Sequence, residues 1–144
     1  MQFTPYLNFN GNCAEAFAFY ASIFNGQVIE QFTFDEMPDG PPVPAEAKHQ
    51  IMHACLQIGE QILMGSDAFP SAETGCAGSY QKPQGLWVSI SLATEAEGQT
   101  IFNALAEGGQ IQMPYEPTFW AKGFGMVEDR FGTPWMINVF IQES

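Results

Sequence analysis

The side chains able to do chemistry in this 144-residue chain are few and scattered. His49 and His53 lie four residues apart in HQIMHACLQI, a segment that alternates like a strand. At strand spacing they stand about 13 Å apart, too far to chelate one ion together without a bulge. His53 is therefore read as a hydrogen-bonding group and the candidate catalytic base, and His49 as a strand-end surface residue. The competing reading is a Zn site built from His53 with Glu60 or Asp67. Cys55 shares a strand face with His53, but nothing in the sequence lowers its pKa, so it reads as an inert buried thiol. Ser89 and Ser91 have no evident base. Glu128 and Asp129 are adjacent, and adjacent strand residues point to opposite faces, which makes them hairpin-turn acids rather than a paired-acid site.

Two short helices must position these groups. In NCAEAFAFYASIFNG, Asn12 can cap the N-terminus and Glu15 completes a capping box. Phe17, Tyr20, Ala21 and Phe24 form one apolar stripe, and Gly26 supplies the left-handed stop. TEAEGQTIFNALAEG, from Thr94 to Gly108, repeats this plan. Ala96-Glu97 answers Ala14-Glu15, Phe102 answers Tyr20, Leu105 answers Ile23 and Gly108 answers Gly26, at one constant offset with no gap.

Strands are expected around the first helix at Phe3–Phe9, Gln27–Phe34, His49–Ile58 and Gln61–Ser66. Around the second they are expected at Gly85–Ala93, Gly109–Met113, Lys122–Glu128 and Pro134–Ile141, the last two joined by the turn Asp129–Gly132. Asp35–Ala47 and Asp67–Gly85 are rich in Pro or Gly and read as exposed, mobile loops, and Pro114–Ala121 as irregular. The order strand, helix, strand, strand, strand therefore occurs twice. It predicts an α+β fold with mainly antiparallel pairing, built as one domain over 1–144. Module one covers about 1–67, a linker about 68–84, and module two about 85–144. Each half-sheet buries its apolar face on its own helix and leaves a polar, aromatic face to line a cleft.

The chain carries a net charge of −12, with only Lys48, Lys82, Lys122 and Arg130 positive. Nucleic-acid binding needs clustered cations to displace counterions, and anionic membranes need the same, so both are excluded as partners. Mean hydropathy is −0.06 and no long apolar run is present, so no membrane span is expected. The opening FTPYLNF reads as a strand without a basic leading region, so no secretion signal is expected. Cys13, Cys55 and Cys76 have neither metal-like nor paired spacing, which suits a reducing, cytoplasmic location.

Three segments carry a family resemblance: YLNFNGNCAEAFAFY, LMGSD, and FWAKGFGMVEDRFGTPWMINV with its DRFG and PWMIN. Together they resemble the vicinal-oxygen-chelate superfamily of glyoxalase I, extradiol dioxygenases and bleomycin-resistance proteins, and more closely its PhnB-like branch. The resemblance implies paired β-α-β-β-β modules forming a curved sheet around a cleft, and usually a homodimer. Some members of the branch carry a ubiquinone-pathway methyltransferase label. The chain has no glycine-rich strand-to-helix turn of the kind a nucleotide-like methyl donor would use.

Metal-using members of the superfamily place a His or Glu on each of four cavity strands. Carried over residue by residue, those positions hold Thr4, Met64, Trp87 and Met136. Hydroxyl, thioether and indole groups do not replace imidazole or carboxylate for Zn, Ni or Fe, so no metal and no other cofactor is expected. By alternation, the cavity faces present Tyr6, Asn8, His53, Met64, Ser66, Trp87, Ser89, Met136 and Asn138. Gly123 and Gly125 are expected opposite Met136 and Asn138, leaving room there. Apolar walls with a few polar groups suit a small-molecule ligand. Three readings stay open. The first is metal-free small-molecule binding. The second is an enzyme with an atypical metal site or a His53-based lyase or isomerase activity. The third is a structural dimer whose side chains fill the space. Trp120, Phe124 and Trp135 look surplus to one small core, which adds to the expectation of a homodimer.

Overall fold

A computed structural model describes residues 1–36, 44–68 and 80–141. Residues 37–43, 69–79 and 142–144 lie outside the described residues. They include much of the two expected loops, and Cys76. Two compact units divide the chain at Met1–Lys82 and Pro83–Ser144, a boundary that falls inside the 68–84 stretch.

The first unit runs β1 (Tyr6–Phe9), α1 (Cys13–Phe24), β2 (Gln27–Thr33), β3 (Ile51–Ile58) and β4 (Gln61–Asp67). Single turns of 3-10 helix, Phe34–Glu36 and Ala45–Ala47, follow β2 and precede β3. The sheet order is β1-β4-β3-β2. β3 pairs antiparallel with β2 and β4, while β1 enters parallel beside β4. The parallel pair follows from the connection: the chain leaves β1 through α1 and reaches the sheet again at its far edge. Phe17 and Tyr20 of α1 are fully buried and pack on Phe9, whose ring meets Phe17 edge-on at 6.0 Å. Each such buried ring contributes about 1.5–3 kcal/mol.

The ends of α1 differ from expectation. The Asn12 side chain makes no cap bond, and its Oδ1 is buried without a partner. The first-turn amide of Cys13 is bonded instead to Asp67 Oδ1 at 3.0 Å, as is Gly11 N at 2.9 Å. Asp67 Oδ2 accepts from Ile51 N at 2.8 Å. A carboxylate brought in from the end of β4 thus replaces the local cap. At the C-terminus the left-handed residue is Asn25 (φ 55°), not Gly26. Asn tolerates that conformation by bonding locally. A side chain on Gly26 would place its Cβ 2.8 Å from the Gln57 carbonyl, so that glycine serves close approach rather than the turn.

The second unit repeats the plan: β5 (Val88–Ser91), α2 (Glu95–Ala106), β6 (Gln110–Glu116), β7 (Ala121–Glu128) and β8 (Pro134–Phe140), in sheet order β5-β8-β7-β6. Here the local signals hold. Thr94 Oγ1 accepts from Glu97 N at 3.2 Å, and Gly108 takes the positive φ after the helix. β6 continues through Pro114–Glu116, which the sequence marked as irregular. Proline is tolerated there because β6 is an edge strand, and the ladder loses its regular register at that point. Both units are therefore βαβββ modules with mixed sheets, an α+β fold.

Two expectations fail on β7 and β8. Gly123 stands opposite Val139 and Gly125 opposite Ile137, so the glycines face α2 rather than Met136 and Asn138. A Cβ on Gly125 would lie 2.7 Å from the Phe102 ring, and one on Gly123 would meet the Tyr115 hydroxyl. Their small size lets α2 and the Tyr115 ring settle on the sheet. Trp135 and Phe124 are buried rather than surplus, and of the three aromatics only Trp120 stays exposed. The Trp135 indole donates to Asp129 Oδ2 at 2.8 Å, while Asp129 Oδ1 accepts from Phe131 N and Thr133 N at 2.8 and 3.0 Å. Asp129 is thus a buried structural acid at the hairpin turn. Asp129→Ala strands three buried donors, and an unsatisfied donor costs about 1–3 kcal/mol. Urea unfolding should show a loss of about 3 kcal/mol or more, with Asp129→Asn losing less because it keeps one acceptor oxygen. A loss under about 1 kcal/mol for the alanine variant would contradict this role.

Candidate functional site

Helix α1 covers one face of the first sheet, through Leu7, Phe9, Ala54, Leu56 and Leu63. The opposite face is set by the strand registers. Tyr6 pairs with Met64, Met64 with Cys55, and Cys55 with Glu30, giving one row across all four strands. The next row on the same face holds Asn8 beside Ser66, and His53 beside Phe32. Glu30 and Phe32 reach this face because β2 carries a bulge at Ile29. Val28 still pairs with Leu56 on the helix side, and without the extra residue Glu30 would follow it there.

These neighbours make specific contacts. Tyr6 Oη lies 3.2 Å from His53 Nδ1, and the two rings stack at 5.8 Å between centroids. His53 Nε2 lies 3.8 Å from Glu30 Oε2, an ion-pair distance rather than a hydrogen bond. Ser66 Oγ donates to Asn8 Oδ1 at 3.3 Å. Tyr6 and Phe32 remain 50% and 43% exposed. The expected residues Tyr6, Asn8, His53, Met64 and Ser66 are thus together on one open face. Glu30 and Phe32 were missed, since simple alternation hides them behind the bulge. Asp67 points to the opposite face and spends both oxygens on backbone amides, which removes it from any Zn site with His53. Among the described residues, no three of His, Cys, Asp and Glu stand close enough to hold a metal ion.

The second sheet has its own open face. Ser89 pairs with Met136, Met136 with Met126, and Met126 with Met113. Ser91 pairs with Asn138, and Asn138 with Phe124. Asn138 Nδ2 donates to Ser89 Oγ at 2.8 Å. Trp87 stands one residue before β5 and is half-buried. By position in the module, Met113, Met126, Met136 and Ser89 answer Glu30, Cys55, Met64 and Tyr6, and Phe124 answers His53. The ionisable groups of the first open face are Tyr6, His53, Cys55 and Glu30, while the second carries the thioethers of Met113, Met126 and Met136, with Glu116 beside Phe124 and Glu128 opposite Pro134. Of Thr4, Met64, Trp87 and Met136, the positions the resemblance assigns to metal ligands, none carries an imidazole or carboxylate.

Burial, and then the nearby Glu30 carboxylate, hold the Cys55 thiol above its ordinary pKa of 9.0. It is therefore a thiol at neutral pH, and its reactivity should rise only at pH values above those that activate a free cysteine. Iodoacetamide labelling followed by peptide mass spectrometry should find Cys55 slow at pH 7–9 and faster in Glu30→Gln, which removes one of the two causes. Labelling of Cys55 as fast as a model thiol at pH 8 would contradict this.

Residues 1–138 match the family described as 3-demethylubiquinone-9 3-methyltransferase. Protein YjdN of Escherichia coli K12 is 37% identical, with 99% of this chain and 98% of that protein covered. Among solved structures, protein PA1353 from Pseudomonas aeruginosa is 44% identical with a TM-score of 0.86, covering 97% and 98% of the two chains. A putative 3-demethylubiquinone-9 3-methyltransferase, PhnB protein, from Bacillus cereus is 25% identical with a TM-score of 0.74, covering 96% and 99%. Likeness to the fosfomycin resistance protein FosX of Listeria monocytogenes, at 11% identity, TM-score 0.62 and 98% and 93% coverage, shows the fold alone. No helix among the described residues is long and apolar enough to cross a membrane. The chain belongs to this PhnB-like, 3-demethylubiquinone-9 3-methyltransferase family, on the glyoxalase and fosfomycin-resistance fold.

Proposed function

We propose that the protein binds a small organic molecule, uncharged or cationic, on the open face of its first sheet and without a metal. The observation that carries this reading is the first open face, where the half-exposed rings of Tyr6 and Phe32 flank His53 and the Glu30 carboxylate. Rings give flat apolar contact and attract cations through their faces. Asn8 and Ser66 on the same face supply hydrogen bonds that fix orientation. The net charge of −12 disfavours an anionic ligand. The methyltransferase description has no such support. In the turn before α1, the amides of Gly11 and Cys13 are committed to Asp67 rather than offered to a donor's polar groups.

Ligand-observed NMR against a fragment library, with EDTA present, should return uncharged and cationic aromatic binders. Tyr6→Ala should weaken them at least tenfold, without moving the urea midpoint. Binding that appears only with added Zn, Ni or Fe, and vanishes with EDTA, would overturn the metal-free reading.

We also propose a homodimer. Leu86, Phe119, Trp120 and Phe140 of the second unit are large apolar residues left exposed on the single chain. Light scattering at micromolar concentration should give twice 15.9 kDa, and 15.9 kDa itself would refute the dimer.

A further inference from the structure

From the contacts of the first open face we infer that Tyr6, His53 and Glu30 form a metal-independent acid–base site in which the Tyr6 hydroxyl meets the substrate. The inference deepens the binding reading above and rests on it. Both ring nitrogens of His53 face a partner, Tyr6 Oη at Nδ1 and Glu30 Oε2 at Nε2. A carboxylate can only accept, so it favours the proton on Nε2. Nδ1 is then the acceptor, and Tyr6 is its donor. Hydroxyl, imidazole and carboxylate stand in the order used wherever a histidine takes a proton from a hydroxyl and an acid steadies the resulting imidazolium. Here the hydroxyl is a phenol. His53 has both nitrogens engaged, whereas Tyr6 is half exposed, so the phenolic oxygen is the end of the chain that a ligand reaches.

A phenol has an ordinary pKa of about 10, close to that of enols, which fits it to carbon acids: uncharged carbonyl compounds with a C–H next to the carbonyl. In the forward step the substrate C–H proton passes to Tyr6 Oη while the Tyr6 proton passes to His53 Nδ1. The electron pair of the broken C–H bond stays on the substrate as an enolate, and His53 becomes imidazolium facing Glu30. Returning the proton to another carbon of the enolate regenerates Tyr6 and neutral His53. Atoms and electrons balance without a co-reactant, and the net reaction is an isomerisation. Asn8 shares the row of His53, and its Oδ1 is taken by Ser66. That leaves its amide N–H groups to hold the enolate oxygen. At the position of His53 the second module has Phe124, so the activity belongs to the first module alone.

The test uses the full chain with cyclohex-3-en-1-one, whose isomerisation to the conjugated enone is read by ultraviolet absorbance, and phenylacetone in D2O, whose deuterium uptake is read by NMR. Wild type should accelerate at least one of these tenfold or more over buffer. Tyr6→Phe and His53→Gln should each remove about 100-fold or return the rate to background. Glu30→Gln should cost less, because its carboxylate is half exposed. All three variants should keep the wild-type circular dichroism spectrum. Nitrogen-15 NMR should find neutral His53 protonated on Nε2, with the Nδ1 resonance moved by Tyr6→Phe. Binding of both probes is followed by line broadening in the same samples. Probes that bind without reacting sink the acid–base site and leave the binding reading standing. Probes that do not bind sink the proposed substrate class, while the fragment screen judges binding separately. Turnover unaffected by Tyr6→Phe, or a His53 proton on Nδ1, would overturn the assignment.

Discussion

The two oxygens of Asp67 accept from Gly11 N, Cys13 N and Ile51 N, and through them one buried carboxylate ties three parts of the first module together. It closes the start of α1, fixes the turn that follows β1, and clamps the first residue of β3 to the last residue of β4. The group is only 2% exposed, so its charge is tolerable because it is met by backbone dipoles on every side. It also holds the neighbouring Cys13 in its thiol form. Burial is the larger cause of that raised pKa, and the negative charge of Asp67 adds to it. With the helix anchored in this way, Leu7, Phe9 and Leu63 are committed to its face, and Tyr6, Asn8, Met64 and Ser66 are left on the other. The candidate chemistry thus depends on a residue that takes no part in it.

Asp129 does comparable work in the second module by a different route. It organises the β7–β8 turn and bonds the Trp135 indole, pinning a register in which Met126 faces Met136 and Phe124 faces Asn138. A slip of one residue would exchange the two faces of both strands. The sequence could not reveal that register. A tight turn places Gly123 and Gly125 on the open face, and the actual connection, from Glu128 to Pro134, places them under α2.

Signals that act over a few residues were legible, and those that act over many were not. The Thr94 cap, the Gly108 stop, the element order and the duplication are written locally, and the chain shows each of them. β1 and β4 pair without interruption, so alternation alone suffices to group Tyr6, Asn8, Met64 and Ser66. The Asn12 cap failed because a carboxylate more than fifty residues away competes for the same amides. Glu30 and Phe32 were hidden because a bulge changes the parity of a strand, and QVIEQFT contains no glycine or proline to announce one. β6 repeats the bulge, where the register steps from Ile111 to Met113, so the irregularity belongs to the module plan rather than to one strand.

That shared bulge gives the duplication a further meaning. In both modules it sets which residues of the outer strand reach the open face, among them Glu30 in the first and Met113 in the second. The same backbone device therefore carries a carboxylate on one side and a thioether on the other. Met64 and Met136 occupy answering positions on β4 and β8, whereas Tyr6, Cys55 and His53 are answered by Ser89, Met126 and Phe124. Tyr6 and Glu30 each face His53, which has a partner at each ring nitrogen. Methionine places a flexible, polarizable side chain at the answering positions of the second module. On this fold, then, two modules of one plan carry different side chains at corresponding strand positions, Glu30 and His53 in the first and Met113 and Phe124 in the second.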